Sequence, residues 1–439
     1  MRINKLKLEN FRCYERLEID FERDLTVIVG FNGKGKTAIF DAIVVGLEPY
    51  LAQFGEKGRS ICEKDIRRVP RYQEDGKHLA AMDNQFPVSV ELECSLSDGS
   101  RAVSRRLLKE DGAAEEDVVA LKAYGEKQAQ AAAEQQESVL PVLGYYGTQR
   151  IWVDSRLMAH LGRSLADRTL GYDQCLEPSS SYSSFGRWFE HITKRARELE
   201  GAGNLSSNYH LLKQAIQKAV NTSLSSTGFG DIYYNYDLDS FVICHPDVGE
   251  MLVDHLSDGF RSVIGMVADL AYRMVRLNSF LGEKAVLETP GIVLIDEVDM
   301  HLHPLWQQTI LVDLRKAFPK LQFIVTTHSP QVLSSVPAAS IRVLSWGKHF
   351  EGVRYVNFSL GAKSDQLLNQ IQEVSSRPQC LPIVQNLKRY LELVSEDKWD
   401  SEEALTLRKE LDDWSKGNEP SLLRADMDIR MRQFRRRKS

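Results

Sequence analysis

Apolar and polar positions alternate with period two along residues 2–9 (RINKLKLE) and 16–21 (RLEIDF), and residues 25–29 (LTVIV) form an apolar run. These patterns predict three β-strands. A glycine-rich turn then leads into a helical pattern over residues 36–50. Residues 87–94 (PVSVELEC) and 101–107 flank Asp98-Gly99, the turn dipeptide of a hairpin. The Ala-, Gln- and Glu-rich segment 126–138 suits either a solvated helix or a loop, and residues 139–146 (VLPVLGYY) read as a strand. From 150 to 250 the chain is Ser- and charge-rich, with helical patterns near 185–200 and 208–223 and a strand pair at 231–236 (DIYYNY) and 240–245 (SFVICH). A long helical pattern at 261–275, apolar strands at 291–295 and 321–325, and a strand at 340–346 come next. After residue 360 the pattern is helical, polar and Leu-punctuated.

Several of these elements end in residues suited to phosphate chemistry. The run 25–29 leads into Gly30-Phe31-Asn32-Gly33-Lys34-Gly35-Lys36-Thr37, a full G-x-x-x-x-G-K-[ST] match between a strand and a helix. Backbone N–H groups there can wrap a polyphosphate at a helix N-terminus; Lys36 can reach the β- and γ-phosphates and Thr37 can ligate Mg²⁺. The apolar run 291–295 ends in Asp296-Glu297. Asp296 can hold Mg²⁺ directly or through water, which leaves Glu297 to polarise an attacking water. Leu256-Ser257-Asp258-Gly259-Phe260-Arg261-Ser262 ends about 35 residues before Glu297, at the start of the long helical pattern. Taken alone it is better read as a helix cap; its place ahead of Asp296-Glu297 favours a serine and glycine set against a γ-phosphate. Thr326-Thr327-His328-Ser329-Pro330 closes the strand 321–325, about 31 residues past Glu297, and places a histidine where it can sense a γ-phosphate. Tyr145-Tyr146-Gly147-Thr148-Gln149-Arg150 also comes after a strand, and Gln149 could bind Mg²⁺ and the attacking water.

Composition changes this picture little. The 439 residues are enough for two or three structural units, and 43% hydrophobic with 27% charged residues is ordinary for a soluble globular protein. No stretch approaches the ~20 apolar residues of a membrane span, and the alternating N-terminus lacks a signal-peptide core, so a cytoplasmic protein without a membrane partner is expected. Cys13, Cys62, Cys94, Cys175, Cys244 and Cys380 are scattered singly, a pattern of neither a zinc site nor a disulfide framework. The net charge of −5 leaves nucleic-acid binding to local patches, of which the last ten residues, with five Arg and one Lys, are one.

In chain order the five strings resemble the ABC-ATPase set of Walker A, Q-loop, signature, Walker B and H-loop. Leu8-Glu9-Asn10-Phe11-Arg12, the Asn32-Gly33 of the P-loop, and Asp296-Glu297-Val298-Asp299-Met300-His301-Leu302-His303-Pro304 resemble the RecF/SMC/OLD branch rather than transporters. The resemblance implies an α/β fold, an ABC-type P-loop ATPase head (RecF/SMC-like) with a helical insertion and a helical C-terminal appendage. It divides the chain into an ATPase lobe with Walker A and Q-loop (1–149), a mostly helical insertion (150–250), the signature, Walker B and H-loop part (251–346) and a C-terminal helical partner-binding region (347–439). ATP and Mg²⁺ are the implied ligands. Asn32, Gly33, Lys34, Gly35, Lys36 and Thr37 would surround the phosphates, Arg12 would contact the nucleotide, and Thr37, Gln149 and Asp296 would hold the metal. Glu297, His328 and Gln149 would serve hydrolysis. In this branch the signature covers a partner chain's nucleotide, so Ser257 and Gly259 are expected to act in trans within a homodimer or higher homo-oligomer. His301 and His303 fall in the D-loop that lines the dimer seam, not in a metal site.

About 93 residues lie beyond Trp346, without a Toprim-like acidic pattern, and no coiled-coil arms interrupt the head. The segment 419–434 resembles the terminus of PtuA-type ATPases of Septu and retron anti-phage systems, which work with an HNH nuclease, PtuB. That resemblance implies the ATPase subunit of a defence complex, slow in turnover and without a nuclease site of its own, that controls a separate HNH chain. In a retron context a reverse transcriptase and msDNA would join it. Two other readings stand beside this one: a RecF-like DNA-repair ATPase, motivated by the basic tail, and a nucleotide-binding scaffold with little turnover.

Overall fold

The computed structural model describes residues 1–31, 33–56, 58–72, 78–148, 167–178, 182–201, 208–347 and 350–438. They fall into two compact units, Met1–Leu367 and Leu368–Ser439.

In the first unit, β1 (Arg2–Phe11) and β2 (Tyr14–Asp20) pair antiparallel, with Leu8 opposite Leu17 and Lys5 opposite Asp20. β3 (Leu25–Val29) leaves for a different sheet. A separate hairpin of β4 (Arg68–Tyr72) and β5 (Leu79–Asn84) precedes β6 (Val88–Ser95), β7 (Arg101–Leu108) and β8 (Ala114–Asp117). The resulting antiparallel sheet has the order β2-β1-β6-β7-β8. Gly99, with φ 84°, turns the chain between β6 and β7, and the Ser100 N–H donates to Asp98 at 2.9 Å, the hairpin that Asp98-Gly99 predicts.

β9 (Val142–Tyr146) joins the sheet of β3. After it, β10 (Gly230–Asn235), β11 (Ser240–His245) and β12 (Gly249–Leu252) make a small antiparallel sheet of their own. β13 (Gly291–Ile295), β14 (Leu321–Thr327), β15 (Ile341–Gly347) and β16 (Phe350–Tyr355) complete the second large sheet, ordered β16-β15-β3-β14-β13-β9. Its neighbours run parallel except for β16. A parallel sheet is covered on both faces, which explains why β3, β13 and β14 are rich in apolar residues and buried along their whole length. The two large sheets are stapled by Gln322, fully buried on β14. Its amide accepts from Ile3 N–H at 2.7 Å and donates to the carbonyls of Ile3 and Glu22 at 2.7 and 2.9 Å.

α1 (Lys36–Leu51) is buried on nearly every side, as suits a helix whose residues are apolar apart from Lys36, Thr37, Asp41 and Glu48. Gly46 lies so close to β6 that an added Cβ would stand 2.7 Å from Leu92 Cβ. α2 (Val119–Ala133) takes the helical alternative for the first part of 126–138, and the chain turns beyond Ala133. In the region 150–250 the described residues include α3 (Tyr182–Gly201), α4 (Asn208–Ser223) and the β10–β12 sheet. α5 (Asp258–Leu277) carries the signature string at its start. The short helices α6 (Ala285–Glu288), α7 (Pro304–Gln307), α8 (Ile310–Ala317), α9 (Pro330–Ser334) and α10 (Ser364–Gln370) lie in the connections before, between and after β13 to β16. β4, β5, β8, β12 and β16 are strands beyond those the sequence pattern predicts; β16 lies inside 347–439, which the resemblance assigns to a helical C-terminal region.

In the second unit, α11 (Pro382–Ser395), α12 (Glu402–Ser415) and α13 (Pro420–Lys438) enclose Leu387, Tyr390, Leu393, Ala404, Leu411 and Leu422. Two-pronged ion pairs brace it: Arg377 to Glu419 at 3.0 and 2.7 Å, and Arg408 to Asp426. Among the described residues no helix is long and apolar enough to cross a membrane.

Candidate nucleotide site

Adjacent strands of a parallel sheet deliver their outgoing turns to one edge, the usual place for a ligand crevice in open α/β sheets. Here β3, β14, β13 and β9 are neighbours in that order. Among the described residues, their carboxyl ends carry 30, 31 and 33–37, 328–330, 296–297 and 147–148. The motifs are thus 100 or more residues apart in places, yet the sheet order alone sets them side by side.

The P-loop is shaped by two left-handed glycines, Gly33 at φ 82° and Gly35 at φ 79°, the second being the N-cap of α1. The β1–β2 turn supports it. Tyr14 donates its hydroxyl to Lys34 O at 2.8 Å, and a Cβ on Gly35 would lie 2.4 Å from Cys13 Sγ. No L side chain fits there. Lys36 is buried, and its ammonium donates to Gly30 O at 2.8 Å and Phe31 O at 3.4 Å. Burial holds its pKa below the ordinary lysine value, against the opposing pull of Asp296, Glu297 and Asp299. Lys34 places its ammonium 4.8 Å from the centre of the Phe31 ring.

Walker A and Walker B residues meet directly. Thr37 Oγ1 donates to Asp296 Oδ2 at 2.9 Å. Thr326 Oγ1 donates to the other carboxylate oxygen at 2.6 Å and accepts the Glu297 N–H at 2.7 Å. Asp296 N–H in turn donates to Tyr146 O at 2.8 Å. Asp296 is buried, while Glu297, half-buried, sits in a left-handed backbone with φ 49°. A hydroxyl and a carboxylate converging in this way form an all-oxygen pair suited to a hard divalent cation that retains several waters, so Thr37 and Asp296 fit Mg²⁺.

The end of β14 is tied to the turn after Glu297. Thr327 Oγ1 donates to Asp299 Oδ1 at 2.6 Å, and Ser329 Oγ donates to Gln307 Oε1 at 2.7 Å. His328 between them has its pKa lowered by burial and by the charge of Lys36, partly offset by Asp299, Glu297 and Asp296. The histidine therefore shares one electrostatic environment with the P-loop lysine and the acidic pair.

The signature string begins α5. Ser257 is its N-cap, exposed, and makes no capping bond with its side chain. Gly259 is buried against the turn after Glu297: a Cβ there would lie 2.2 Å from His301 O. The Phe260 ring packs, tilted by 33°, against Trp306 of α7 with centroids 4.2 Å apart. Further along α5, Tyr146 OH and Arg273 Nε both donate to Asp269 Oδ2 at 2.8 Å, and Arg273 continues to the carbonyls of Gly171 and Asp173 at 3.0 and 2.9 Å. Burial raises the Tyr146 pKa well above the ordinary phenol value, so its proton stays available to Asp269.

Arg12 is placed in a compensated charge cluster. It pairs with Asp41 of α1 and donates from Nε to the fully buried Asp65 at 3.0 Å; Arg59 bonds the same two carboxylates at 2.6 and 2.7 Å. Asn32 and Gln149, along with Arg150, lie outside the described residues. His303 Nδ1 accepts from Leu305 N–H at 3.3 Å as the N-cap of α7. No group of three or more His, Cys, Asp and Glu residues able to hold a metal occurs among the described residues. Sequence reading passed over Thr326 as a partner of Asp296, although it lay inside a string singled out for its histidine. Tyr146 likewise lies inside the string singled out for Gln149, whereas Asp269, Arg273, Arg59, Asp41 and Asp65 carry no such signal, because the networks they join reach residues distant in the chain.

Residues 5–217 match the family of AAA domains. The chain is 25% identical to the Retron Ec83 probable ATPase of Escherichia coli, over 98% of this chain and 87% of that protein. It is 26% identical to the Retron Vc95 probable ATPase of Vibrio cholerae serotype O1 biovar El Tor, over 93% of this chain and 86% of that one. A segment of 92 residues is 41% identical to the Septu protein PtuA of Bacillus mycoides, covering 21% of this chain and 12% of that one. Among solved structures, the SMC head domain from Thermotoga maritima aligns over 82% of this chain and all of its own, with 18% identity and a TM-score of 0.45.

Proposed function

We propose that this chain, a PtuA-like ATPase of the RecF/SMC branch, is the ATPase subunit of a retron- or Septu-type anti-phage defence complex, pairing head to tail around ATP and controlling a separate HNH nuclease. The observation that carries the ATPase reading is the Thr37–Asp296–Thr326–Glu297 chain of hydrogen bonds. It joins the phosphate loop to the acidic pair, orients the Asp296 carboxylate and anchors the backbone of Glu297. Lys36 and the N-terminus of α1 hold the polyphosphate. Thr37 and Asp296 hold Mg²⁺, which supplies charge neutralisation on the phosphate oxygens. Glu297 orients and deprotonates the attacking water, a task in which the sequence resemblance gives Gln149 a part, and His328 hydrogen-bonds the terminal phosphate.

Ser257 supports pairing in trans. It is an exposed N-cap on a 20-residue helix with its hydroxyl unused by that helix, and helix N-termini attract anions. Each nucleotide then needs Lys36, Thr37, Asp296 and Glu297 from one chain and Ser257 with Gly259 from the other. A mixed dimer of Lys36→Ala and Ser257→Arg chains concentrates both lesions in one site and leaves the second intact. Phosphate release should approach half the wild-type rate for the purified mixed dimer and about a quarter for a random one-to-one mixture, in which half of the dimers are mixed, whereas each variant alone is inactive. No recovery at any mixing ratio would show the trans arrangement to be wrong. The nuclease assignment is tested by co-expression with an HNH chain: failure of the two to co-purify removes it and leaves the ATPase reading in place.

A further inference from the structure

We propose that the outward face of α13 is a docking face for a partner polypeptide that presents an apolar helix edged with Asp and Glu. The proposal deepens the reading of the chain as one subunit of a complex and rests on it.

Leu423, Met427, Met431 and Phe434 are 49%, 63%, 55% and 59% exposed. At about 100° per residue they fall within an arc of roughly 80° on the helix. The inward-facing residues of the same helix, Leu422, Ala425 and Ile429, lie on the opposite side, packed into the core formed with α11 and α12. That core is closed without the outer stripe, so the stripe contributes little to folding this unit. Four large apolar residues at i, i+4, i+8 and i+11 are the spacing by which a helix is read by a partner helix. Methionine among them suits a surface that adapts to what it binds.

The edges of the stripe select the partner. Arg424, Arg430 and Arg435 are exposed on the same helix. On the helical wheel Arg430 borders one side of the stripe, and Arg424 and Arg435 border the other. A second copy of the face would bring like charges together, which costs energy at an interface. A nucleic-acid backbone would satisfy the arginines but has no use for the apolar stripe between them. An apolar helix with acidic borders satisfies both.

The test uses the full-length chain. The probes are two fluorescent helical peptides with identical Leu faces, one bordered by Glu and one by Lys, together with a DNA duplex and phosphatidylserine vesicles. Wild type should bind the Glu-edged peptide and not the Lys-edged one. Met427→Glu/Met431→Glu should weaken that binding at least about tenfold, since central apolar anchors dominate such interfaces. Arg424→Glu/Arg430→Glu/Arg435→Glu should reverse the preference between peptides. An unchanged melting temperature and ATPase rate keep misfolding out of the comparison. Equal peptide binding by wild type and the Met variant overturns the proposal. So does binding of DNA or vesicles that depends on the arginines while the Met pair proves dispensable, and so does a fall in homo-oligomer mass on Met substitution, which would make the face a self-contact. With a co-expressed HNH chain, loss of co-purification in the Met variant supports the proposal. Co-purification with both wild type and variant refutes the docking face alone. Co-purification with neither refutes the nuclease assignment, and the peptides still decide the face.

Discussion

Thr326→Val tests the geometry of the acidic pair at a single atom. Valine keeps the shape and the strand preference of threonine but removes the hydroxyl, and Thr326 is fully buried, so water cannot replace it easily. Two bonds are lost. One is a hydrogen bond to the Asp296 carboxylate at 2.6 Å, of the charged class that contributes about 1.5–3 kcal/mol. The other is the acceptor of the Glu297 N–H at 2.7 Å; a buried donor deprived of its acceptor costs about 1–3 kcal/mol. The second loss matters more for chemistry, because Glu297 is held at φ 49°. A non-glycine residue in that conformation stores about 1–3 kcal/mol that its surroundings must offset. Freed of the bond, Glu297 relaxes and its carboxylate swings away from the reacting water. With about 1.4 kcal/mol per tenfold in rate, losing roughly 3 kcal/mol of orientation lowers turnover on the order of a hundredfold. Nucleotide affinity, which rests on the P-loop backbone and Lys36, should change by no more than about threefold, or about 0.7 kcal/mol. Thr326→Ser retains the hydroxyl and should restore most of the rate. The assay pairs single-turnover phosphate release with equilibrium binding of a fluorescent ATP analogue. If Thr326→Val hydrolyses ATP within about twofold of wild type while folding normally, the hydrogen-bond chain does not set the direction of Glu297 and the reasoning is refuted.

Gly259→Ala should destabilise the isolated chain by about 1–3 kcal/mol, the usual cost of overpacking, because its Cβ meets a backbone carbonyl, His301 O, at 2.2 Å. Thermal unfolding without nucleotide checks this; an unchanged melting temperature would mean that the glycine serves only the approach of a phosphate. His328 should titrate below the ordinary histidine value of 6.5, owing to burial and then to Lys36. A histidine whose folded pKa is lowered favours the folded state above its unfolded pKa, and that contribution is lost as pH falls through the lowered value. NMR titration of the imidazole, assigned with His328→Gln, should give a midpoint below 6.5 that moves upward in Lys36→Met; a wild-type midpoint at or above 6.5 contradicts the described surroundings.

What could be read from the sequence was the part that chemistry writes locally. A buried parallel strand must be an apolar run, and a phosphate loop must alternate glycines with a lysine, so β3 with residues 30–37 and β13 with Asp296-Glu297 were visible at once. The order of β3, β14, β13 and β9 in the sheet was not visible, although it assembles the site. Nor were contacts whose partners are distant: Tyr146 finds Asp269 across 123 residues and Asn278 bridges to Leu140 across 138. Arg12 shows a further limit. The Leu8–Arg12 string implies a nucleotide contact for it but not its ion pairs with Asp41 and Asp65 beside Arg59, the last two contributed by a stretch with no recognisable pattern. The β4–β5 hairpin was missed because its strands are mostly exposed and lack the apolar alternation that a half-buried strand shows.

α5 is held at its start and at its middle by residues that belong to, or adjoin, those ordering the acidic pair. Tyr146 takes the Asp296 N–H on its carbonyl and reaches Asp269 of α5 with its hydroxyl. On the other side of Glu297, Asp299 is fastened to Thr327, and the carbonyl of His301, two residues on, lies against Gly259. His301 itself is left-handed, with φ 60°, so this turn has little freedom to drift. Two short paths of bonds and contacts therefore run from the acidic pair to the helix whose N-cap is Ser257. Under the proposed pairing that serine meets the nucleotide of the other chain. A rearrangement at Asp296 and Glu297 would then be felt at the start of α5 in the same chain, and so at the second nucleotide, without any long-range motion of the sheet. On this account an added methyl at Gly259 and a hydroxyl deletion at Thr326 act on one mechanical unit from opposite ends, one through the packing of the 299–301 turn and the other through the backbone of Glu297.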